Sequence, residues 1–576
     1  MVGKNFSLQT HTIAFLLFVP FLYVLPSPPH SVAEESASLM VHGVSDTSAL
    51  HEAIQREGGT TTHELPLIGG MAADLTPSQL AALRNEFPKL QVFPNRGVEV
   101  TSAPVSLDRP APDATLGTPS SFDKSHGHVP YSQFPALIGA DILHYFGING
   151  SGVTVAVLDS GQWGTRAIKR GVFGQKRILA RYDALQDKVG KSNDHHGHGT
   201  HVASLLLSSD VAQGVWKYNG IAPNANLVSV KAFDRHGKST YADILRGLQW
   251  IADHKDVYDI RVLNLSFGAA PSSFYWDDPI NRAVMALWQA GVVVVTSAGN
   301  LGPEPLTIGV PGNNPYAITV GAMSDNYTPA DGSDDFLASF SSTGPTFEAF
   351  VKPEIVAPGG HMLGLVKPGS TLPTQYPQHQ DGNYFTMSGT SQASAVASGV
   401  AALMLQFEPW LTPDQVKCRL MNSAKTAVNA DGEVAYSLLQ QGAGRIDAIE
   451  AILDTEDHCA NLGMDVSKDL AGIEHYLGPV RMNASDMFYI EGLGEIWDAN
   501  YNSGGYPWLD SVPWLDSVPW LDSVPWLDLD SVPWLDLNSV PWLDSVPWLD
   551  GDLSASTQGP ENLEQPLEIN IWVEQE

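Results

Sequence analysis

The chain has 576 residues and only two cysteines, Cys418 and Cys459. So few thiols exclude a small scaffold held together by a disulfide framework. The two either pair, which an oxidising compartment permits, or stay as two buried thiols. Basic residues are also scarce, with 31 Lys and Arg against 63 Asp and Glu, for a net charge of -32. That balance argues against nucleic acid and anionic membranes as partners. The deficit is uneven: from Glu456 to Glu576 there are 23 acidic and two basic residues, or -21 of the total. Long apolar runs are missing too. The longest, Ile13 to Leu25, is short and broken by Pro20. With Lys4 before it and the small residues Ser31-Val-Ala33 after it, the run reads as a secretory signal cleaved after Ala33. No other segment is long and apolar enough to cross a bilayer. The mature chain is therefore expected to be secreted, extracellular or associated with the cell envelope, with no transmembrane segment.

What is present is a set of reactive residue types in a particular order. Val155-Ala-Val-Leu-Asp159-Ser-Gly161, His198-Gly-Thr-His201-Val-Ala203 and Gly389-Thr-Ser391-Gln-Ala393-Ser394 each offer one member of an Asp, His, Ser set. A serine hydroxyl holds its proton near neutral pH and needs an imidazole to remove it. The imidazole in turn needs a carboxylate to fix its tautomer and support its charge. Any one of these residues alone reads as a helix cap or a turn. Together, with a fourth segment, they do not. Thr296-Ser-Ala-Gly-Asn300 follows the apolar run Val292 to Val295 and supplies an amide donor for an oxyanion, with the Ser391 backbone N–H as a second.

The secondary-structure pattern supports a matching architecture. Val153 to Leu158, Leu227 to Phe233, Val262 to Leu265 and Val292 to Thr296 are apolar β-branched runs, as expected of strands buried on both faces. His198 to Leu207, Tyr241 to Asp253, Pro279 to Ala290 and Ser391 to Gln406 carry helical spacing. This alternation predicts an α/β fold with a doubly wound, mostly parallel sheet. Ligands on such sheets bind beyond the carboxyl ends of strands, where Asp159 and Asn300 fall.

From about Ile148 to Leu453 the chain resembles subtilisin-type serine proteases of the S8 class, and within them the bacterial AprX-type subtilases. The likeness extends to Tyr218-Asn-Gly-Ile-Ala-Pro223, Val228-Ser-Val-Lys-Ala-Phe-Asp234, Leu263-Asn-Leu-Ser-Phe-Gly268, Asp334-Asp-Phe-Leu-Ala-Ser-Phe-Ser-Ser-Thr-Gly-Pro345 and Lys352-Pro-Glu-Ile-Val-Ala-Pro358. The resemblance implies a triad of Asp159, His198 and Ser391 and an oxyanion donor in Asn300. It also implies a substrate cleft lined by Ser266, Phe267 and Gly268, with Gly237 to Ser239 as the opposing edge. The chain departs from the family pattern in four places. Gln392 replaces a Met, Ala395 a Pro, and Ser204 and Ala269 stand where Gly is usual; Ala269 adds a methyl beside the S1 pocket. No cofactor is required. Many subtilases hold structural calcium, and Asp331-Gly-Ser-Asp334-Asp335 offers oxygen ligands, though without complete EF-hand spacing. His195, His196 and His198 read as a solvated loop rather than a zinc site.

The remaining length divides by composition. Residues 34–100 resemble the small α+β inhibitor-type propeptide of subtilases, with strands expected at Ser38 to His42, Leu65 to Asp74 and Leu90 to Phe93 and a helix from Pro77 to Phe87. The Ser-, Pro-, Asp- and Thr-rich stretch 101–126 reads as a linker holding the processing site. A catalytic domain over 127–455 and a C-terminal extension over 456–505 follow. Residues 506–550 form a low-complexity tail with six full copies of Ser-Val-Pro-Trp-Leu-Asp and seven of the chain's 15 Trp, and 551–576 are acidic. A proline in every repeat forbids continuous helix and central-strand pairing. The expected partners are protein or peptide substrates and the chain's own propeptide. The Trp repeats read either as a spacer or as a binder of a polymer or envelope ligand. The activity implied is that of a secreted serine endopeptidase made as a precursor. The alternatives are an envelope- or polymer-binding protein whose repeats carry the main role, and a silent scaffold.

Overall fold

A computed structural model of the chain describes residues 35–44, 46–99, 129–212, 214–326, 328, 334–429, 434–483, 487–490 and 494–497. The expected signal segment, the linker 101–126, the repeats 506–550, the acidic tail 551–576 and Asp331 lie outside the described residues. The strands, numbered along the chain, begin with β1 (Ala37–His42), β2 (Thr60–Leu65), β3 (Gly70–Leu75), β4 (Gln91–Pro94) and β5 (Gly97–Glu99). The central sheet uses β6 (Thr154–Asp159), β7 (Ile178–Asp183), β8 (Lys188–Val189), β9 (Asn226–Lys231), β11 (Ile260–Leu265), β12 (Val293–Ser297), β13 (Ile318–Ser324), β14 (Phe336–Leu337) and β15 (Ile355–Pro358). Strand β10 (Lys238–Thr240) stands apart and pairs with β5.

The central sheet runs β14-β13-β12-β11-β6-β9-β7-β8, with β15 also on β13. Its inner pairs are parallel and its outermost ones, β13 with β14 and β7 with β8, are antiparallel. Every residue of β6, β12 and β13 is buried. Helices cover both faces, which is why these strands read as unbroken apolar runs. The helices His198–Leu207 and Thr390–Phe407 pack together on one face; Tyr241–Tyr258 and Pro279–Gln289 pack together on the other. The helix expected to end at Asp253 continues to Tyr258. Trp250, His254 and Tyr258 stack at i,i+4, with centroids 4.0 and 6.0 Å apart, and Asp259 ends the helix in a left-handed conformation at φ 48.

The N-terminal unit is an antiparallel sheet of order β2-β3-β1-β4 with the helices Thr47–Arg56 and Pro77–Glu86. Its two faces are buried differently. Val41, Met71, Ala73 and Leu75 join Leu50, Ile54 and Leu83 from the unit's own helices. Met40, Ala72 and Phe93, on the opposite face, belong to the main core. The strand expected from Leu65 to Asp74 is corrected to two strands. Pro66 starts a short 3-10 turn to Ile68, and Gly69 reverses the chain at φ 63. The sequence expectations lack the helix Thr47–Arg56, which Asp46 caps and to which Leu50, Ala53 and Ile54 give an apolar stripe.

Cys418 and Cys459 form a disulfide, with Cα atoms 5.1 Å apart. This settles the alternative the sequence left open. The bond ties the helix Pro413–Asn422 to the segment after the core, beside an Arg419–Asp457 ion pair at 2.8 Å. Beyond it, the fully buried Asp469 accepts hydrogen bonds from Tyr275 Oη at 2.6 Å and Tyr316 Oη at 3.1 Å and faces His475 Nδ1 at 2.8 Å. The segment from Asp457 to His475 is thus bound into the surface of the main body. No helix among the described residues is long and apolar enough to cross a membrane.

Candidate active site

The expected triad residues come from three elements that end at the same edge of the sheet. Asp159 is the last residue of β6, His198 opens the helix His198–Leu207, and Ser391 is the second residue of the helix Thr390–Phe407. All three are buried. Asp159 Oδ1 and Oδ2 lie 2.8 and 2.9 Å from His198 Nδ1. A carboxylate only accepts, so Nδ1 carries the hydrogen and Nε2 is the basic nitrogen. His198 Nε2 is buried with no hydrogen-bond partner among the described residues. Ser391 Oγ donates to the Ser266 carbonyl at 3.2 Å, along the expected cleft wall. Close packing brings the first pair together. A Cβ on Gly199 would sit 3.0 Å from Asp159 Oδ1 and 2.4 Å from the Gly161 carbonyl, so only glycine lets the helix approach.

Asn300 is oriented by the residue before Ser391. Its Oδ1 accepts from Thr390 N and Thr390 Oγ1, both at 2.9 Å. Because Thr390 N–H can only donate, the amide is fixed with Nδ2 pointing away, and that Nδ2 is buried without a partner among the described residues. A buried, fixed and unused donor is what an oxyanion site requires.

The loop carrying His195, His196 and His198 differs from its sequence reading. His195 is exposed, but Asp194 and His196 are buried, so this is not a solvated loop. Asp194 takes hydrogen bonds from Ser160 Oγ, from the His196, Gly197 and Thr200 amides and from Thr200 Oγ1, at 2.6 to 3.0 Å. Burial alone would raise its pKa, but the Thr200 and Gly197 hydrogen bonds outweigh it and hold the carboxyl below its usual range. The same hydrogen bonds anchor the turn that presents His198. Sequence reasoning missed Asp194, whose only signal was an acid just before the histidines. It also missed the seam under Ser391, where Ser266 Oγ accepts from Asn264 Nδ2 at 2.7 Å and lies 2.9 Å from Ser394 Oγ. Burial drops the pKa of His196 and of His201 to about 4, with His201 Nε2 against the Met362 and Phe385 carbonyls.

The residues expected to line the cleft fall in two segments. Ser266 and Phe267 are buried and Gly268 is half-buried just past β11, while Gly237 turns into β10, which contains Ser239. Ala269 exchanges backbone hydrogen bonds with Val310 at 2.9 and 2.8 Å, tying the segment after β11 to the chain around Val310. Among the other departures, Ser204 Oγ donates to the His201 carbonyl and accepts from Leu365 N–H, both at 2.7 Å, and Gln392 is buried with Nε2 3.5 Å from His201 Nδ1. Of the acidic turn, Asp334 accepts from Asn326 Nδ2 at 2.9 Å and Asp335 pairs with Arg445 at 2.6 Å. Among the described residues no three His, Cys, Asp or Glu side chains converge on a metal position.

The Subtilase family model (peptidase S8) matches residues 150–444, which contain every residue of this site. The chain belongs to the subtilase family. This subtilase is 39% identical over 311 residues to the serine protease AprX of Bacillus subtilis strain 168, covering 53% of this chain and 67% of AprX. It is 31% identical over 298 residues to subtilisin DY of Bacillus licheniformis, covering 51% of this chain and 91% of that protein. Among solved structures it is similar to fervidolysin of Fervidobacterium pennivorans, a keratinolytic enzyme related to subtilisin. The TM-score is 0.55 at 22% identity, over 74% of this chain and 62% of fervidolysin, less than two thirds of that chain. That likeness establishes the subtilisin-like fold, with its mixed sheet and helices, and nothing narrower.

Proposed function

We propose that this subtilase is a secreted serine endopeptidase, made as a precursor whose residues 34–100 act as an inhibitory propeptide. The observation that carries the chemistry is the pairing of an oriented His198 with a free Nε2 and an oriented Asn300 with a free Nδ2 around the Ser391 helix terminus. Ser391 Oγ attacks the scissile carbonyl as His198 Nε2 takes its proton. Asp159 supports the imidazolium, and Asn300 Nδ2 and the Ser391 N–H hold the oxyanion. Collapse passes the proton to the leaving amine and leaves an acyl-enzyme. Water, deprotonated by His198, then releases the acid.

The precursor reading is supported by β5. Its residues Gly97, Val98 and Glu99 pair antiparallel with Thr240, Ser239 and Lys238 of β10, the expected substrate edge. An extended segment adding a strand there binds as a substrate would. The alternative, in which the Trp repeats carry the main role, is not favoured, because the family match falls on the catalytic body. Ser391→Ala tests the proposal. The variant should be exported, accumulate as an uncleaved precursor with residues 34–100 attached, and show negligible peptidase activity by intact-mass analysis and peptide assay. Parent-level hydrolysis by the variant removes Ser391 as nucleophile. Trimming of both proteins at one bond assigns processing to another enzyme.

A further inference from the structure

Arg96 lies between β4 and β5, where the N-terminal unit meets the catalytic body. Its guanidinium carbon sits 4.9 Å from the Phe93 ring centroid and 5.2 Å from that of Tyr241. Nη2 donates to Tyr241 Oη at 3.2 Å and reaches the Ala270 carbonyl at 3.5 Å. Tyr241 Oη donates onward to Oδ2 of the fully buried Asp278 at 3.2 Å. The other oxygen of Asp278 caps the helix Pro279–Gln289 through the Ile280 and Asn281 amides at 2.9 and 3.0 Å. The backbone is held as well, because Tyr241 N–H donates to the Arg96 carbonyl and Ala242 N–H to Asn95 Oδ1, both at 3.0 Å.

Three groups of the body therefore form a receptor for one planar cation: the Tyr241 ring and hydroxyl, the Ala270 carbonyl, and the Asp278 carboxylate behind them. The receptor's position is informative. Tyr241 directly follows β10, and Ala270 lies four residues beyond Ser266, whose carbonyl takes the Ser391 hydroxyl. The receptor thus sits at the far end of both cleft walls, in line with the strand Gly97–Glu99. We propose that it is a distal substrate subsite selective for an arginine several residues to the amino side of the cleaved bond, and that Arg96 fills it in the precursor. This rests on the protease reading above. Arginine suits it better than lysine because a guanidinium can lie flat on a ring while donating to two acceptors. Burial raises the Asp278 pKa to about 6, and the neighbouring amides and the Arg96 charge oppose that rise. The nearby cation therefore favours the ionised carboxyl. The subsite is remote from the reacting carbonyl, so it should act on binding and not on the chemical step.

The test uses enzyme matured from the full chain and quenched peptides with the sequence of residues 93–126, which span the whole expected processing linker. The peptides carry Arg, Lys or Gln at the position of Arg96. Replacing Arg by Gln should raise KM roughly tenfold with kcat within about twofold, and Lys should restore part of the loss. On an Asp278→Asn enzyme the Gln-to-Arg ratio of KM should fall toward one. Because Asp278 also caps a helix, that variant could fail to fold, and the parent series then decides alone. Equal KM for the Arg and Gln peptides, on an enzyme that cleaves both, overturns the subsite and leaves the protease reading standing. Hydrolysis of none of them, or undiminished hydrolysis by Ser391→Ala, takes down both.

Discussion

Asn300 shows how much rides on one side chain's orientation. Thr390 holds its carbonyl oxygen from two directions, so the amide nitrogen is kept in one orientation. Asn300→Ala should lower kcat about a hundredfold or more and leave KM nearly unchanged, since the donor acts on charge that develops only in the transition state. That size is the one known for an oxyanion donor in a subtilisin and is carried over here. Matching rates for variant and parent on a peptide ester would refute the role. Glu348 gives a residue-scale prediction about stability. It is fully buried, and its Oε1 accepts from Tyr275 N–H at 2.8 Å. Burial raises its pKa to about 7 from the ordinary 4.5. The folded state therefore binds more protons than the unfolded state between those values, and stability falls as pH rises through that window. Glu348→Gln keeps the hydrogen bond without the charge. Its stability advantage over the parent should grow from near zero at pH 4.5 to about 3 kcal/mol at pH 8. Denaturant midpoints of both proteins across that range measure it, and parallel curves would show that the carboxyl does not carry the shift.

At the scale of elements, the site is a meeting of ends. The carboxyl end of β6 and the amino ends of two helices converge, and Asp194 and Gly199 set how closely they do so. The Cys418–Cys459 bond works elsewhere, closing a loop of 41 residues of sequence separation around the helix Pro413–Asn422 and the returning chain. On the chain-entropy model, a loop of that length adds about 4 kcal/mol by restricting the unfolded state. Cys418→Ala with Cys459→Ala should therefore lower the unfolding free energy by about 2–4 kcal/mol. Thiol titration of the denatured, exported parent should find no free thiol. Two free thiols per chain, or a stability unchanged by the double substitution, would mean the bond does not form or does not matter.

For the whole molecule, the arrangement of units predicts which parts are separable. The residues of the candidate site and of its expected cleft all precede the end of the helix Thr390–Phe407. Deleting 506–550 should leave kcat/KM on a short soluble peptide within about twofold of the parent, because low-complexity repeats add nothing to that core. Activity on an insoluble substrate, assayed alongside, reports any binding role of the repeats. A folded truncation that lost most of its short-peptide activity would make the repeats part of the catalytic unit. The N-terminal unit is a different case. Its second face is completed by the catalytic body, so Met40, Ala72 and Phe93 have no cover of their own.

The amino-acid sequence by itself determined the elements and their chemistry. Buried parallel strands are uniformly apolar, and the helix His198–Leu207 could be read to its ends, because both patterns arise from local periodicity and burial. The order of Asp159, His198 and Ser391 marked the candidate triad, since few other arrangements need those residue types with those glycine-rich flanks. Tertiary structure decided what depends on distant partners. Pro66 and Gly69 look like interruptions in one strand until β2 and β3 are seen paired. Asp194 is an ordinary loop acid until Ser160, Gly197 and Thr200 surround it. The two cysteines carry no information about their separation until the helix Pro413–Asn422 and the chain after it are packed. Arg96 and Tyr241, 145 residues apart in sequence, meet only because β5 lies on β10. Local periodicity writes an element into neighbouring residues, whereas a site is made where chain ends far apart in sequence are brought within hydrogen-bond range.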